Sequence, residues 1–139
     1  MRRLAPVFED GGVNLVLSGH VHNYQRTCPL RFAPTEGPGK LVDGTFTLDR
    51  EYDGSSLTSP KGIIYLTAGG GGAGLYRGDL EKNQAYFQSQ FPKNWAPYTV
   101  KFISDQHSFV LIDLTATRLE AQACNERGAV IDRFIMTKP

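Results

Sequence analysis

Two short apolar runs, each stopped by glycine, constrain this chain more than any other feature. Val13-Asn14-Leu15-Val16-Leu17-Ser18 lies between Gly12 and Gly19, and Gly62-Ile63-Ile64-Tyr65-Leu66-Thr67-Ala68 runs into Gly69-Gly70-Gly71-Gly72-Ala73-Gly74. Runs of that length, rich in branched side chains and bounded by turn residues, suit buried strands. Before the first run, Leu4, Val7 and Phe8 recur at helical spacing. Asp10-Gly11-Gly12 ends that helix, and Pro6 confines it to a short segment or the tail of a longer one. After the second run, residues 108–114, 118–124 and 130–136 read as three strands. Asp113-Leu114-Thr115-Ala116 and Asn125-Glu126-Arg127-Gly128 supply the turns of an antiparallel meander. Residues 23–60, with Pro29, Pro34, Pro38 and several Gly-containing pairs, read as a long loop with hairpin fragments, Thr45-Phe46-Thr47-Leu48 among them. Residues 79–90 read as a short helix capped by Asp79. No internal repeat is visible, and residues 1–139 are expected to form a single, partial domain.

Composition excludes several classes. Fifteen Lys and Arg against fourteen Asp and Glu leave a net charge of +1, with no basic face for nucleic acid. No apolar run reaches the eighteen or so residues of a membrane span. Met1-Arg2-Arg3-Leu4 does not open a signal peptide, because Glu9, Asp10 and two glycines interrupt any apolar stretch. Cys28 and Cys124 are read as buried free thiols, with a disulfide between them left open.

The chemistry concentrates in Ser18-Gly19-His20-Val21-His22-Asn23-Tyr24-Gln25-Arg26-Thr27, which begins at the end of a buried strand. Two of the three histidines sit here. In an extended segment, positions i and i+2 project to the same side, so His20 and His22 could present two nitrogens to one metal or one to each of two. Gly19 would let the backbone turn sharply at the strand end.

The segment from Asn14 to Thr27 resembles the C-terminal metal motif of the calcineurin-like metallophosphoesterases. Its Gly-His-Val-His core, followed by an aromatic, a polar residue and Arg, is similar to the purple acid phosphatase branch. Residues 1–8, 61–72 and 108–135 resemble the family's preceding helix, next core strand with its glycine loop, and terminal hairpins. The resemblance implies an α/β fold: the C-terminal half of a metallophosphoesterase αββα sandwich, strand-dominated in isolation. It implies a parent enzyme in which two metal ions, iron with zinc, iron or manganese, clamp a phosphate ester and activate a bridging hydroxide. His20 would ligate one ion and His22 the other. Asn23, Tyr24, Arg26, Gly70 and Gly71 are expected as neighbours of the site. Family members are often exported, secreted or periplasmic, and any leader would lie upstream of Met1.

The family's other ligands, an Asp, a Gly-Asp-x-x-Tyr, a Gly-Asn-His and a further His, are not in this sequence. Gly78-Asp79-Leu80-Glu81-Lys82 imitates one of them, with Lys82 where the Tyr should stand. Two imidazoles cannot hold two hard ions without carboxylate oxygens. The chain therefore reads as the C-terminal half of the enzyme starting at an internal Met, inactive alone and holding no metal or little. It would be completed by a missing N-terminal half or a second copy. A non-catalytic β-rich interaction module is the alternative, and a structural zinc site recruiting Cys28 is a third reading. The Gly69–Gly74 run lacks the Gly-Lys-Ser/Thr of a phosphate loop and reads as a tight strand exit, or as a wall of the substrate pocket. His107 is expected in a surface or hydrogen-bonded structural role. Arg26 is expected to brace the His loop, with phosphate pairing as the other option, and the aromatics, Trp95 and Tyr98 included, are read as core.

Overall fold

The computed structural model describes residues 2–35, 42–75 and 98–138. A 3-10 turn, Arg2–Leu4, runs into helix α1, Ala5–Asp10, with Pro6 in its first turn where no amide donor is needed. The helix stops as expected. Gly11 N–H donates to Val7 O at 3.0 Å, and Gly12 takes a positive φ of 66° that a side chain would resist.

Among the described residues nine strands follow: β1 Leu15–Ser18, β2 Tyr24–Thr27, β3 Leu30–Pro34, β4 Gly44–Leu48, β5 Ile64–Ala68, β6 Thr99–Ile103, β7 Ser108–Leu114, β8 Arg118–Asn125 and β9 Val130–Thr137. They form three sheets. The central one has the order β1-β5-β2-β6, with β1 parallel to β5 and both other pairings antiparallel. The meander β7-β8-β9 packs on one of its faces, and α1 with the β3-β4 pair covers the other.

Strand alternation explains the layering. On β5, Ile64 and Leu66 are fully buried and pack with Tyr24, Ala121, Ala123, Phe134 and Met136. Tyr65, between them, joins Ala5, Leu30 and Phe32 on the other side, where Glu9 Oε1 accepts from Phe32 N–H at 2.9 Å. Residues 49–61 hook over the outer edge of β9. Ile135 N–H donates to Gly54 O and Tyr52 Oη donates to Ile135 O, each at 2.8 Å. That occupies backbone groups which an edge strand would otherwise offer to another chain.

The strand-dominated α/β architecture, the meander, β5 and β4 match the sequence reading; β1 is a strand as expected but an edge strand, with Leu17 54% exposed, because no described strand pairs with its outer side. The stretch 23–60 does not: β2 and β3 are regular strands where a long loop was expected, and β6 was not anticipated. In β2 the polar string Tyr24-Gln25-Arg26-Thr27 hid a buried strand, because Arg26 is neutralised by a residue far along the chain. In β3, Leu30 and Phe32 alternate with Arg31 and Ala33, a pattern masked by the flanking prolines. The helix expected at residues 79–90, Gly78 to Lys82 and Trp95 all lie outside the described residues. Cys28 and Cys124 are buried free thiols. No helix among the described residues is long and apolar enough to cross a membrane.

Candidate metal centre

Because β1 and β5 are parallel neighbours, their carboxyl ends open at the same end of the sheet, the place where α/β folds collect ligand-binding loops. From β1 emerges Gly19-His20-Val21-His22-Asn23, and from β5 the glycine run that starts at Gly69.

The histidine segment is not extended. Val21 N–H donates to Gly19 O at 2.9 Å, and Asn23 N–H donates to Val21 O at 2.8 Å. These are two successive three-residue γ-turns, one centred on each histidine. His20 has φ 72°, the one positive value at a non-glycine among the described residues and the mark of the rarer, strained form of this turn. The same-side projection expected from an extended i, i+2 pair is therefore corrected: the chain folds back at each histidine. Strain of this kind persists only where the surroundings hold it, and it concentrates at functional sites.

The glycine run holds the turn at two points. Gly69 N–H donates to Asn23 O at 3.0 Å, so closely that a Cβ on Gly69 would stand 1.9 Å from Val21 O. His22 Nδ1 lies 2.8 Å from Gly74 O. A carbonyl only accepts, so in this contact Nδ1 carries the proton and Nε2 the lone pair, the nitrogen this tautomer would offer a metal. His20 is exposed and His22 half-buried.

The expected neighbours divide. Asn23 is completely buried, and among the described residues neither its Oδ1 nor its Nδ2 meets a hydrogen-bond partner. Tyr24 and Arg26 are committed elsewhere. Both reach Asp132 on β9, Tyr24 Oη at 2.7 Å and Arg26 through two nitrogens, and the guanidinium stacks 4.9 Å from the Phe134 ring centroid. Burial pushes the Tyr24 phenol up, and the hydrogen bond to the Asp132 carboxylate pushes it further, so it stays protonated. Arg26 thus braces the meander against the central sheet rather than the His loop. Gly70 and Gly71 face the start of β7: a Cβ on Gly70 would stand 2.6 Å from Ser108 Oγ. The contacts with the turn come instead from Gly69 and Gly74, which the unbroken glycine run signalled only as a group.

Behind the turn, on the face that carries α1, a cleft of about 250 Å³ is lined by Ser18, Gln25 and Thr67 together with Arg2, Phe46 and Tyr98. Neither histidine lines it.

His20 and His22 suit metal donors in type, and His22 in tautomer. The described residues contain no group of three or more His, Cys, Asp or Glu that could hold an ion, which leaves the Cys28 zinc reading without support. Two imidazoles by themselves are fewer donors than a protein-bound ion normally takes.

No protein-family model matches the chain. In sequence it is 33% identical over 87 residues to "Probable inactive purple acid phosphatase 1" of Arabidopsis thaliana, a match spanning 61% of this chain and 12% of that protein. In structure it is similar to purple acid phosphatase PPD1 from yellow lupin (Lupinus luteus) seeds, with a TM-score of 0.52 and 22% identity. That alignment covers 97% of this chain and 19% of the lupin chain, and it is a likeness of fold. Part of this chain's sequence and its fold are thus similar to those of purple acid phosphatases, the resemblance expected from the Gly-His-Val-His segment. The chain spans a small part of the length of both relatives.

Proposed function

We propose that this chain supplies the two-histidine part of a dinuclear metallophosphoesterase centre that hydrolyses phosphate esters. The observation that carries the reading is the paired γ-turn at the carboxyl ends of β1 and β5, which sets the backbone of two histidines in consecutive turns of a strained, externally held loop. His20 and His22 would each hold one ion, and the Gly74 carbonyl keeps the His22 lone pair on Nε2. Ions bound there, iron with zinc, iron or manganese, supply Lewis-acid polarisation of the phosphoryl group. Asn23, buried beside His22 with both side-chain atoms unmatched among the described residues, supplies a donor and an acceptor for whatever completes the site.

The remaining donors come from a complementary segment or a second copy. Two features support this. Among the described residues nothing pairs with the outer edge of β1, where Leu17 is 54% exposed. Leu114, which the β7-β8 register sets opposite Leu119, is 73% exposed. An open sheet edge beside uncovered apolar side chains is a surface made for strand addition. The second reading, a non-catalytic module, is favoured by the word "inactive" in the name of the Arabidopsis relative.

Metal stoichiometry separates the two. Protein incubated with zinc, iron or manganese and dialysed is quantified beside the His20→Ala/His22→Ala double variant. Metal retained by the wild type and lost in the variant supports the half-site. A wild type that retains none supports the module.

A further inference from the structure

The third histidine of the chain is 107, in the connection between β6 and β7 and distant in sequence from the turn. Its ring is exposed, yet Nδ1 lies 3.0 Å from Gly70 O. The same oxygen accepts from Ser108 N–H at 3.1 Å, and Ser108 Oγ fills the space a Cβ on Gly70 would need. A carbonyl held by two donors is fixed in direction. One residue earlier in the glycine run, Gly69 N–H grips Asn23 O, the last residue of the histidine turn.

The base from which His107 reaches is itself anchored. Glu126 N–H donates to His107 O at 3.2 Å, and Asn125 Nδ2 donates to Gln106 Oε1 at 2.8 Å. Asn125 Oδ1 in turn accepts from Arg127 and Ala129 N–H, closing the β8-β9 turn. A continuous run of hydrogen bonds therefore leads from the rigid meander through the His107 ring and the Gly70 and Gly69 peptides to the γ-turns of His20 and His22.

We infer that His107 is a positioning residue: its Nδ1–H donation to Gly70 O sets the glycine run in the one arrangement that holds the histidine turn. The strained φ at His20 requires such external support, because a γ-turn of that form is not held by its own single hydrogen bond. The inference rests on the half-site reading for its significance, and its test does not need metal.

The test compares wild type, His107→Ala and His107→Asn, the last because an Asn amide can donate from nearly the place of Nδ1. Ring nitrogen NMR reads the His22 tautomer, and amide exchange reads the Gly69 and Asn23 N–H groups. The expected result is a single Nδ1–H tautomer in wild type and His107→Asn. In His107→Ala the tautomers mix, and Gly69 exchange is about tenfold faster, the loss of roughly one hydrogen bond's protection. A tautomer already mixed in wild type, or unchanged in His107→Ala, overturns the inference. So does a His107→Asn variant no better than His107→Ala, which would assign the effect to ring bulk. Should His107→Ala fail to fold, His107→Leu, which keeps bulk but has no donor, replaces it: a tautomer as fixed as in wild type then overturns the inference, and a mixed one supports it. Zinc titration of the same wild-type sample keeps the two claims apart. No zinc binding with an ordered His22 sinks the metal reading and leaves the positioning role standing.

Discussion

The Arg26 guanidinium grips the Asp132 carboxylate with two nitrogens, Nε to Oδ2 at 2.6 Å and Nη2 to Oδ1 at 2.9 Å, across 106 positions of chain. Both side chains are nearly buried, 12% and 9% exposed. Burial alone would raise the Asp132 pKa, but the hydrogen bonds from Arg26 and Tyr24 outweigh it and hold the carboxyl below its usual range. Removing one partner strands the other's charge between two sheets. Asp132→Ala should therefore cost about 3 kcal/mol in a urea or thermal unfolding measurement, where an exposed pair would cost under about 1. An exposed control is available in Lys61 and Glu51, both over 70% exposed, and Glu51→Ala should barely move the midpoint.

Acid should unfold the chain in a defined window. Asp53, whose carboxylate accepts from the backbone N–H groups of Ser55, Leu57 and Ser56, is pulled down to about 2. Asp49 lies below its usual value as well: burial pushes it up, and the N–H groups of Lys61, Tyr52 and Glu51 more than reverse that. With folded-state values below the ordinary 3.8, these groups and Asp132 stabilise fully above that pH and progressively less as pH falls through their folded-state values. Stability followed by circular dichroism should fall between about pH 4 and 2. Asp53→Asn keeps an acceptor without the charge and should flatten that slope.

Two glycines with nearly the same positive φ should respond differently to alanine. Gly54 has φ 72° and Gly128 φ 80°. A Cβ on Gly54 would stand 2.8 Å from Phe134 Cβ, while one on Gly128 would meet nothing within 4 Å. Gly128→Ala should cost about 1 kcal/mol for the left-handed backbone alone. Gly54→Ala should cost about 2 kcal/mol or more, because the β9 strand must shift as well. Equal losses in denaturant titration would show that the loop over β9 yields freely.

Strain at His20 predicts an inverted order of stability. Glycine accepts a φ of 72° at no steric cost, whereas alanine does not. His20→Gly should thus be more stable than His20→Ala by about 1 kcal/mol, although it removes the same ring. If His20→Ala proves the more stable of the two, the γ-turn is not the conformation in solution.

Buried and unpaired, Cys28 and Cys124 should react slowly with a thiol reagent in the native state and both react at once in denaturant. Burial pushes the Cys28 thiol up, further from the reactive thiolate. Non-reducing mass analysis should find no intramolecular crosslink.

Much of this protein was determined by sequence alone. The runs that became β1 and β5 are apolar and glycine-bounded, and the meander alternates between clear turns, so local pattern foretold the strands there, although of the two runs only β5 is buried. Gly-His-Val-His at a strand end singled out the candidate site for the same local reason. Other features were decided only by the tertiary structure. Tyr24-Gln25-Arg26-Thr27 became a core strand because Asp132, on the last strand, neutralises Arg26. The histidine segment became two γ-turns, where an extended pair was expected, because Gly69 and Gly74 hold it from a neighbouring strand end. His107, an unremarkable loop residue by pattern, joined the support of that turn through Gly70. A hydrogen bond across dozens of residues leaves no periodicity in either partner's neighbourhood, so only the folded chain discloses it.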